Sequence, residues 1–387
     1  MSELKKLLEG VKVEWKSLGE VAELKRGRVM SKNYLSENSG IYPVYSSQTA
    51  NNGEIGKINS FDFSGTYLTW TTDGANAGTI FYREGKFSIT NVCGLIAIKN
   101  LNIISYKFLF YWLNIRAKNY VYSGMGNPKL MTHQIEKIPI PIPCPENLEK
   151  SLKIQQEIVR ILDSLSEETN QLTAALQKEL QIHQKQYNFY REELFKFEDK
   201  EVEWKSLGEI AEIGTGSRNT NEAVIDGEYP FFVRSQIPRK INEFEFDETA
   251  IITAGDGVGV GKVFHFVNGK YALHQRAYRI VVKSNKVNPK FLFYYIKSNF
   301  SKYVEKNSVF ASVTSLRKPM FDKYPVPVAS FEEQERIIKL LHDLDFTTNS
   351  IIAEIQKEIE LRNKQYEYYR DHLLSFHSLQ TEVEAIQ

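Results

Sequence analysis

Residues 13–24 read VEWKSLGEVAEL and residues 202–213 read VEWKSLGEIAEI, identical at 10 of 12 positions, with Ile210 and Ile213 standing where the first copy has Val21 and Leu24. The chain is therefore an internal repeat. A second match, at an offset of 179 residues, aligns 152–197 with 331–376 through Gln155/Gln334, Ile158/Ile337, Leu162/Leu341, Leu165/Leu344, Tyr190/Tyr369 and Phe197/Phe376. The order is A, B, A′, B′. Between these anchors only landmarks persist: Phe61/Phe244, Asp73-Gly74/Asp256-Gly257, Gly78/Gly261, Phe81/Phe264, KFLFYWL at 107–113 against KFLFYYI at 290–296, and Pro139/Pro325 with Pro141/Pro327. The frame is shared and the contents differ.

The chain of 387 residues, 42% apolar and 12% aromatic, has core-forming side chains for about two to four ordinary domains, which excludes the disordered and collagen-like classes. No stretch approaches the roughly 20 apolar residues of a membrane helix, and Lys5 and Lys6 lead into no signal-type apolar region, so a cytoplasmic location is expected. Cys93 and Cys144 lie outside any CxxC or Cys/His metal spacing and are expected to be reduced, structural thiols.

The formal net charge of +1 hides a segregation. Residues 1–150 hold 18 Lys+Arg against 13 Asp+Glu and residues 202–330 hold the same numbers, so each block is +5. Residues 151–201 count 7 against 10 and residues 331–387 count 6 against 12, leaving −3 and −6. Two basic blocks alternate with two acidic ones.

The acidic segments are helical by period. Ile158, Leu162, Leu165, Leu172, Leu176, Leu180, Tyr187, Tyr190 and Leu194 recur at helix-seam spacing, interrupted by Thr169 and His183, and Ile337, Leu341, Leu344, Ile351, Ile355, Ile359, Tyr366, Tyr369 and Leu373 repeat the seam. The step from Leu176 to Leu180, repeated from Ile355 to Ile359, adds a residue to the alternation and predicts local unwinding of the supercoil. About 46 residues at roughly 1.5 Å each make a rod of roughly 70 Å, too long for one small domain to cover. Each rod is expected to pair with the other copy's rod, the alternative being two independent tails that seek other chains.

The basic blocks read as mixed α/β. Ser17-Leu18-Gly19-Glu20 and Ser206-Leu207-Gly208-Glu209 fit a capping box that opens a short helix, with Trp15 and Trp204 just before it as expected core anchors. Runs at 67–71, 79–82, 250–253, 262–266 and 278–282 have β-branched and aromatic strand chemistry between Gly, Asn and Asp turns, and the KFLFY segments predict a second short helix on that sheet. IPIPIP at 138–143 and YPVPV at 324–328 exclude helix and central strand and predict extended leads into the rods.

Catalytic patterns are absent. In the glycine-rich stretch 255–262, Asp256 occupies the place of the leading Walker glycine and Val263 that of the magnesium-binding Ser or Thr, so a turn between strands is expected. Asn127-Pro128-Lys129-Leu130 lacks the second proline and the aromatic of an adenine methyltransferase motif, and no HExxH, GxSxG or carboxylate pair stands out among the seven histidines and their surroundings. No metal ligands are assigned. The reading is of a chain that binds, with no catalysis of its own.

Charge and side-chain type indicate duplex DNA. In the first block Lys25, Arg26, Arg28 and Lys32 precede the polar stretch containing Ser47, Gln48, Asn51 and Asn52; in the second, Arg218, Asn219, Arg234, Gln236, Arg239, Lys240, Gln275 and Arg276 are the counterpart set. Lysine and arginine neutralise phosphates, and Gln, Asn and Arg form bidentate hydrogen bonds to base edges in the major groove, each worth about 1 to 3 kcal/mol of discrimination.

The A-B-A′-B′ plan, the paired VEWKSLGE anchors and the segments IQQEIVRIL and EEQERIIKLL resemble the specificity subunit of type I restriction-modification systems over nearly the whole chain. The resemblance implies an α+β fold with a pseudo-twofold: two mixed α/β target recognition domains separated by two long helices that pair as an antiparallel coiled coil. It places the first recognition domain at 1–150, with a short N-terminal segment at 1–12, a first spacer helix at 151–201, the second recognition domain at 202–330, a second spacer helix at 331–377 and a C-terminal tail at 378–387. It further implies that each domain reads one half of a bipartite, asymmetric DNA site, that the helices dock two methyltransferase subunits, and that endonuclease subunits complete the complex. S-adenosylmethionine, ATP and magnesium are then cofactors of the partner subunits and not of this chain. The other readings of the residues are a coiled-coil scaffold without DNA specificity and an orphan DNA-binding adaptor without restriction partners. One departure from symmetry is visible: Pro143 stands twelve residues before Gln155, whereas Pro327 stands seven before Gln334.

Overall fold

The computed structural model describes residues 11–124, 126–197, 202–307 and 315–376, so most of the expected segment 1–12 and all of the tail 378–387 lie outside the described residues. The repeated VEWKS stretches are short strands. Val13–Ser17 pairs antiparallel with Pro139–Pro143, and Glu203–Ser206 with Pro325–Val328, each forming a two-stranded ribbon. A proline at every second position leaves only the alternate residues to donate to the partner, which a two-stranded ribbon tolerates and a central strand does not. The extended leads are thus ladders in their own right, with Ile140, Ile142 and Val326 buried beneath them.

Trp15 and Trp204 are not core anchors. They are 39% and 43% exposed, because they project from the outer face of the ribbon; Trp15 lies against the ring of Trp112, with centroids 5.7 Å apart. The one-turn helices Leu18–Val21 and Leu207–Ile210 follow as expected. Glu20 accepts from the backbone N–H and hydroxyl of Ser17, both at 2.6 Å, and Glu209 does the same for Ser206, at 2.7 and 2.6 Å. These bonds hold both carboxyls below the usual carboxylate range.

Two compact units emerge, and neither follows chain order: residues 1–174 with 359–387, and residues 175–358. The first contains an antiparallel sheet of Ala22–Arg26, Cys93–Ile98, Tyr67–Thr71 and Ile80–Arg83, and a second sheet of Glu54–Ile58, Ser39–Tyr45, Lys86–Ile89 and Phe63–Ser64. Helix Tyr106–Arg116 packs on the first sheet and buries Phe108, Leu109, Trp112 and Leu113. The second unit holds one six-stranded sheet in the order Ala211–Thr215, Ala277–Val282, Phe246–Ala254, Phe264–Leu273, Tyr229–Phe232 and Arg239–Ile241. Its KFLFYYI segment begins a longer helix than its counterpart, Pro289–Asn307. The glycine-rich stretch is a turn between strands, as expected, with a single 3-10 turn at Gly257–Gly259.

The two long helices are Leu148–Glu193 and Phe331–Leu373. They do not stand apart from the sheet domains as separate bodies. Ile154, Ile158 and Leu162 of the first helix and Leu373, Leu374 and Phe376 at the end of the second enter one core with Leu68, Trp70 and Phe108. In the other unit Phe195 joins Ile337, Leu341, Phe291 and Phe321. Each unit therefore combines the start of one rod with the end of the other. Within the first unit, residues 165–172 and 362–369 line one narrow cavity, and the hydroxyl of Tyr366 meets Ser166. Within the second, the hydroxyl of Tyr187 donates to Asp345, and Tyr190 and Leu194 share a cavity with Leu340 and Leu344. Both pairings run antiparallel.

The seam differs in detail from its sequence pattern. Leu172 is 38% and Tyr190 54% exposed, so both sit on its rim, while Thr173, which the sequence pattern leaves out, is half-buried beside the expected interruptions Thr169 and His183. A helix of 3.6 residues per turn drifts off a seven-residue repeat, and that drift carries Thr173 inward.

Candidate nucleic-acid interface

In the second unit, backbone hydrogen bonds draw four chain segments together at one end of the six-stranded sheet. Arg218 donates its N–H to Leu273 O (3.2 Å), Gln275 to Arg218 O (3.0 Å), His274 to Phe232 O (2.9 Å) and Gly255 to Arg276 O (2.9 Å). Arg218, Asn219, Arg234, Gln275 and Arg276, scattered over some sixty residues of sequence, thus stand on one rim. Gly216 makes the close crossing there: a Cβ on it would sit 1.9 Å from the Leu273 carbonyl oxygen. In the first unit Gly27 fills the same place, with Ile89 O at 2.0 Å. Only glycine fits where two backbones approach so closely.

Asp256 organises this rim. Arg234 Nη1 donates to its Oδ1 at 2.7 Å and Arg276 Nη1 to its Oδ2 at 3.1 Å. Burial pushes the carboxyl up, but the two guanidinium groups outweigh burial and hold it below the ordinary range, so it is charged at neutral pH. The arginines remain 41% and 62% exposed, each oriented by one contact with other N–H groups left for an outside acceptor. Beside them His274 is 4% exposed; burial, and then the nearby arginines, lower its pKa, and its Nδ1 accepts from Arg276 N at 3.0 Å as a neutral ring does.

Arg218 and Gln275 are engaged by neighbouring side chains. Arg218 is tied to Glu222 (3.0 Å) and Glu243 (2.8 Å), which compensate its charge locally, so it shapes the rim and is not a free phosphate contact. Gln275 gives an amide N–H to Asn219 (2.6 Å). Arg239 and Lys240 are exposed on the edge strand Arg239–Ile241, and Gln236 is exposed in the preceding loop.

The first unit builds its rim the same way. Thr90 donates to Tyr45 O (2.9 Å), Ser46 to Gly53 O (2.9 Å) and Gly27 to Cys93 O (3.4 Å), gathering residues 26–28, 46–53 and 90–93. Arg26 is engaged by the Asn91 carbonyl (2.6 and 3.1 Å), Arg28 by Asp62 (3.1 Å) and Lys25 by Glu23 (3.2 Å), so these three do not form the open cationic cluster their spacing suggests. Lys32 is exposed on helix Lys32–Glu37. Ser47 is half-buried, and Gln48 turns its amide back to Glu54 O (2.6 Å). Asn51 and Asn52, in contrast, project from consecutive left-handed positions, φ 49° and 52°, followed by Gly53 at 80°. Asparagine tolerates that region better than other non-glycine residues, which is why the polar stretch can make so tight a turn.

Arg83 supports the turn from below. It is 2% exposed, its guanidinium lies 3.6 Å from the Tyr45 ring centroid, and it donates to Asn52 O at 2.8 Å and Thr69 Oγ1 at 3.2 Å. Sequence reasoning missed Arg83, Asp62, Asn91 and Asp256. For Asp256 a signal existed: the Asp-Gly landmark recurs, and its counterpart Asp73 also faces a cation, Lys129 at 3.9 Å. Burial pushes the Cys93 thiol up to about 12, and among the described residues no His/Cys/Asp/Glu cluster suits a metal. No described helix is long and apolar enough to cross a membrane.

The family described as "Type I restriction modification DNA specificity domain" matches residues 11–182 and again 199–361. The Escherichia coli type I restriction enzyme EcoR124I/EcoR124II specificity subunit is 31% identical, over 97% of each chain. A putative type I specificity subunit of Mycoplasma pneumoniae is also 31% identical, over 92% of this chain and 96% of its own. A solved structure described as the structural basis of complex assembly and conformational transition of the type I restriction-modification system superposes with a TM-score of 0.71 at 14% identity, covering 93% of this chain and 97% of that one. That likeness is one of fold.

Proposed function

This chain belongs to the type I restriction-modification DNA specificity family, and on that premise we propose that it is the non-catalytic sequence reader of a cytoplasmic type I complex. Each unit reads one half of a bipartite, asymmetric duplex site through its rim in the major groove. Lys32, Asn51 and Asn52 serve the first half, and Arg234, Gln236, Arg239, Lys240 and Arg276 the second. S-adenosylmethionine, ATP and magnesium belong to the partner subunits. The observation that carries the reading is the recurrence of one scaffold, with its glycine crossing and Asp-Gly turn, under two unlike sets of rim side chains. Equivalent frames with different contents are what two unlike half-sites require.

Two copies of a methyltransferase subunit dock on the long helices. An exposed apolar patch occurs twice at the 179-residue offset: Ile182 and Phe189, 45% and 59% exposed, and Leu361 and Tyr368, 49% and 66% exposed. Single exposed apolar residues need no explanation, but a patch kept at the same positions of both copies suits one partner bound twice. Endonuclease subunits join that assembly.

The test uses the chain assembled with its methyltransferase partner and duplexes mutated in one half-site at a time. Replacing Arg234 and Arg276 with alanine is expected to cut discrimination at the second half-site by roughly 5- to 150-fold for each bidentate pairing to a base edge that is removed, with the first half unaffected. Binding by the parent complex is expected to weaken steeply with salt. Equal weakening at both halves, or no salt-dependent binding at all, overturns the reading.

A further inference from the structure

We propose that Gln155 and Gln334 are positioning residues that lock the tilt of each reading domain on its long helix and thereby fix the separation of the two half-sites. The inference rests on the proposed function. Both side chains are fully buried, a costly place for an amide unless every polar group is met. Gln155 Oε1 accepts from Ser105 N at 3.0 Å, and its Nε2 donates to Ile103 O at 2.8 Å and Ser151 Oγ at 3.3 Å. Gln334 Oε1 accepts from Asn288 N at 2.8 Å, and its Nε2 donates to Lys286 O and Ala329 O, both at 2.8 Å. Ser105 caps helix Tyr106–Arg116, and Asn288 directly precedes helix Pro289–Asn307, where its side chain accepts from Lys290 N at 2.9 Å. In each unit one amide from the long helix therefore grips the reading domain at the start of its main helix, on an N–H and on the carbonyl two residues earlier.

Two features separate this grip from ordinary packing. A single hydrogen bond permits pivoting; two bonds, to a donor and an acceptor two residues apart, fix an orientation. Covalent geometry cannot do that work equally in both copies, because the strand ends at Pro143 and the helix starts at Leu148 in one, against Val328 and Phe331 in the other. The links differ while the grip is the same. Among the described residues the other polar ties between reading domain and long helix are not equivalent: Tyr111 and Lys107 meet Asp163 in one unit, whereas in the other Tyr294 meets Asp345, three places out of register at the 179-residue offset, and Lys302 meets Glu192.

The experiment replaces Gln155, Gln334 or both with methionine, close in volume and unable to make either bond, in the full complex with its methyltransferase. Methylated adenines are mapped, and amide hydrogen exchange is followed at Ser105 and Asn288. The expected result is unchanged half-site bases, methylation at spacers one base pair shorter or longer raised about fivefold, and exchange at Ser105 or Asn288 faster by roughly tenfold in the corresponding variant. Gln155→Asn and Gln334→Asn, which keep a buried amide but are one methylene too short to reach both reading-domain groups, are expected to shift spacer use and exchange in the same direction; they serve if a methionine variant fails to fold. A folded variant that keeps the single parental spacer, or leaves both amides protected, overturns the proposal, as does a change in the bases read. Failure of the underlying reading looks different, because the unmodified complex would then show no methylation that depends on this chain.

Discussion

Exchanging residues 25–130 for the corresponding block of another specificity subunit is expected to replace one half of the methylated sequence and leave the other half and the spacer as they were. The block lies wholly within one compact unit. Its internal ties travel with it: Trp70 donates its indole N–H to Leu130 O at 2.9 Å, Arg83 holds the turn at Asn52, and Asp62 holds Arg28. Outward, it touches the shared frame, with Phe108 and Trp112 against Phe376 and the Ser105 and Ile103 groups against Gln155. A donor block that keeps the KFLFY-type helix and its cap should therefore seat without strain. Because specific sites are bound roughly 10³- to 10⁷-fold better than non-specific DNA, the parental sequence is expected to fall to background rather than to decline gradually. Sequencing of methylated adenines decides the outcome. Changes in both halves would mean that the two readers are not modular.

Lengthening both long helices by one turn, near residues 174 and 359, is expected to abolish methylation at the parental spacing and create it at a spacing one or two base pairs longer. One turn adds about 5.4 Å along a helix, against roughly 3.4 Å per base pair. The insertion point avoids both cores: Ile154, Ile158, Leu162, Ile337 and Leu341 are buried among domain residues, whereas the stretches around 174 and 359 are only half-covered. Lengthening one helix alone would break the antiparallel match and is expected to lower stability instead of shifting the spacing. Unaltered spacing with both helices extended would mean that something other than the rods measures the gap.

The repeat, the rods and their pairing were legible because they follow from period and identity, which need no tertiary information. Trp15 and Trp204 misled because large aromatic residues are usually buried; here the residue sits on a ribbon whose inner face is already filled by Ile140, Ile142 and Val326. The division into units was hidden for a different reason: Ile158 and Leu373 look like ordinary members of their two seams in sequence, and only folding shows that these rod ends are claimed by a domain core. Among the candidate binders, residue type pointed to segments that the fold gathers at the end of each unit's sheet. It could not tell that Arg26, Arg28 and Arg218 are occupied by Asn91, Asp62, Glu222 and Glu243, since each partner arrives from elsewhere in the chain. Arg234 and Arg276 remained open because one carboxylate, Asp256, holds both.

Two unlike readers on one repeated frame should select two unlike half-sites. The most direct test is the methylated-adenine map of DNA from cells carrying this chain with its methyltransferase partner, compared with cells lacking only this chain. One chain-dependent motif is predicted, made of two different short sequences at a single fixed gap. A continuous motif, a palindrome, or an identical map in the two strains would contradict it.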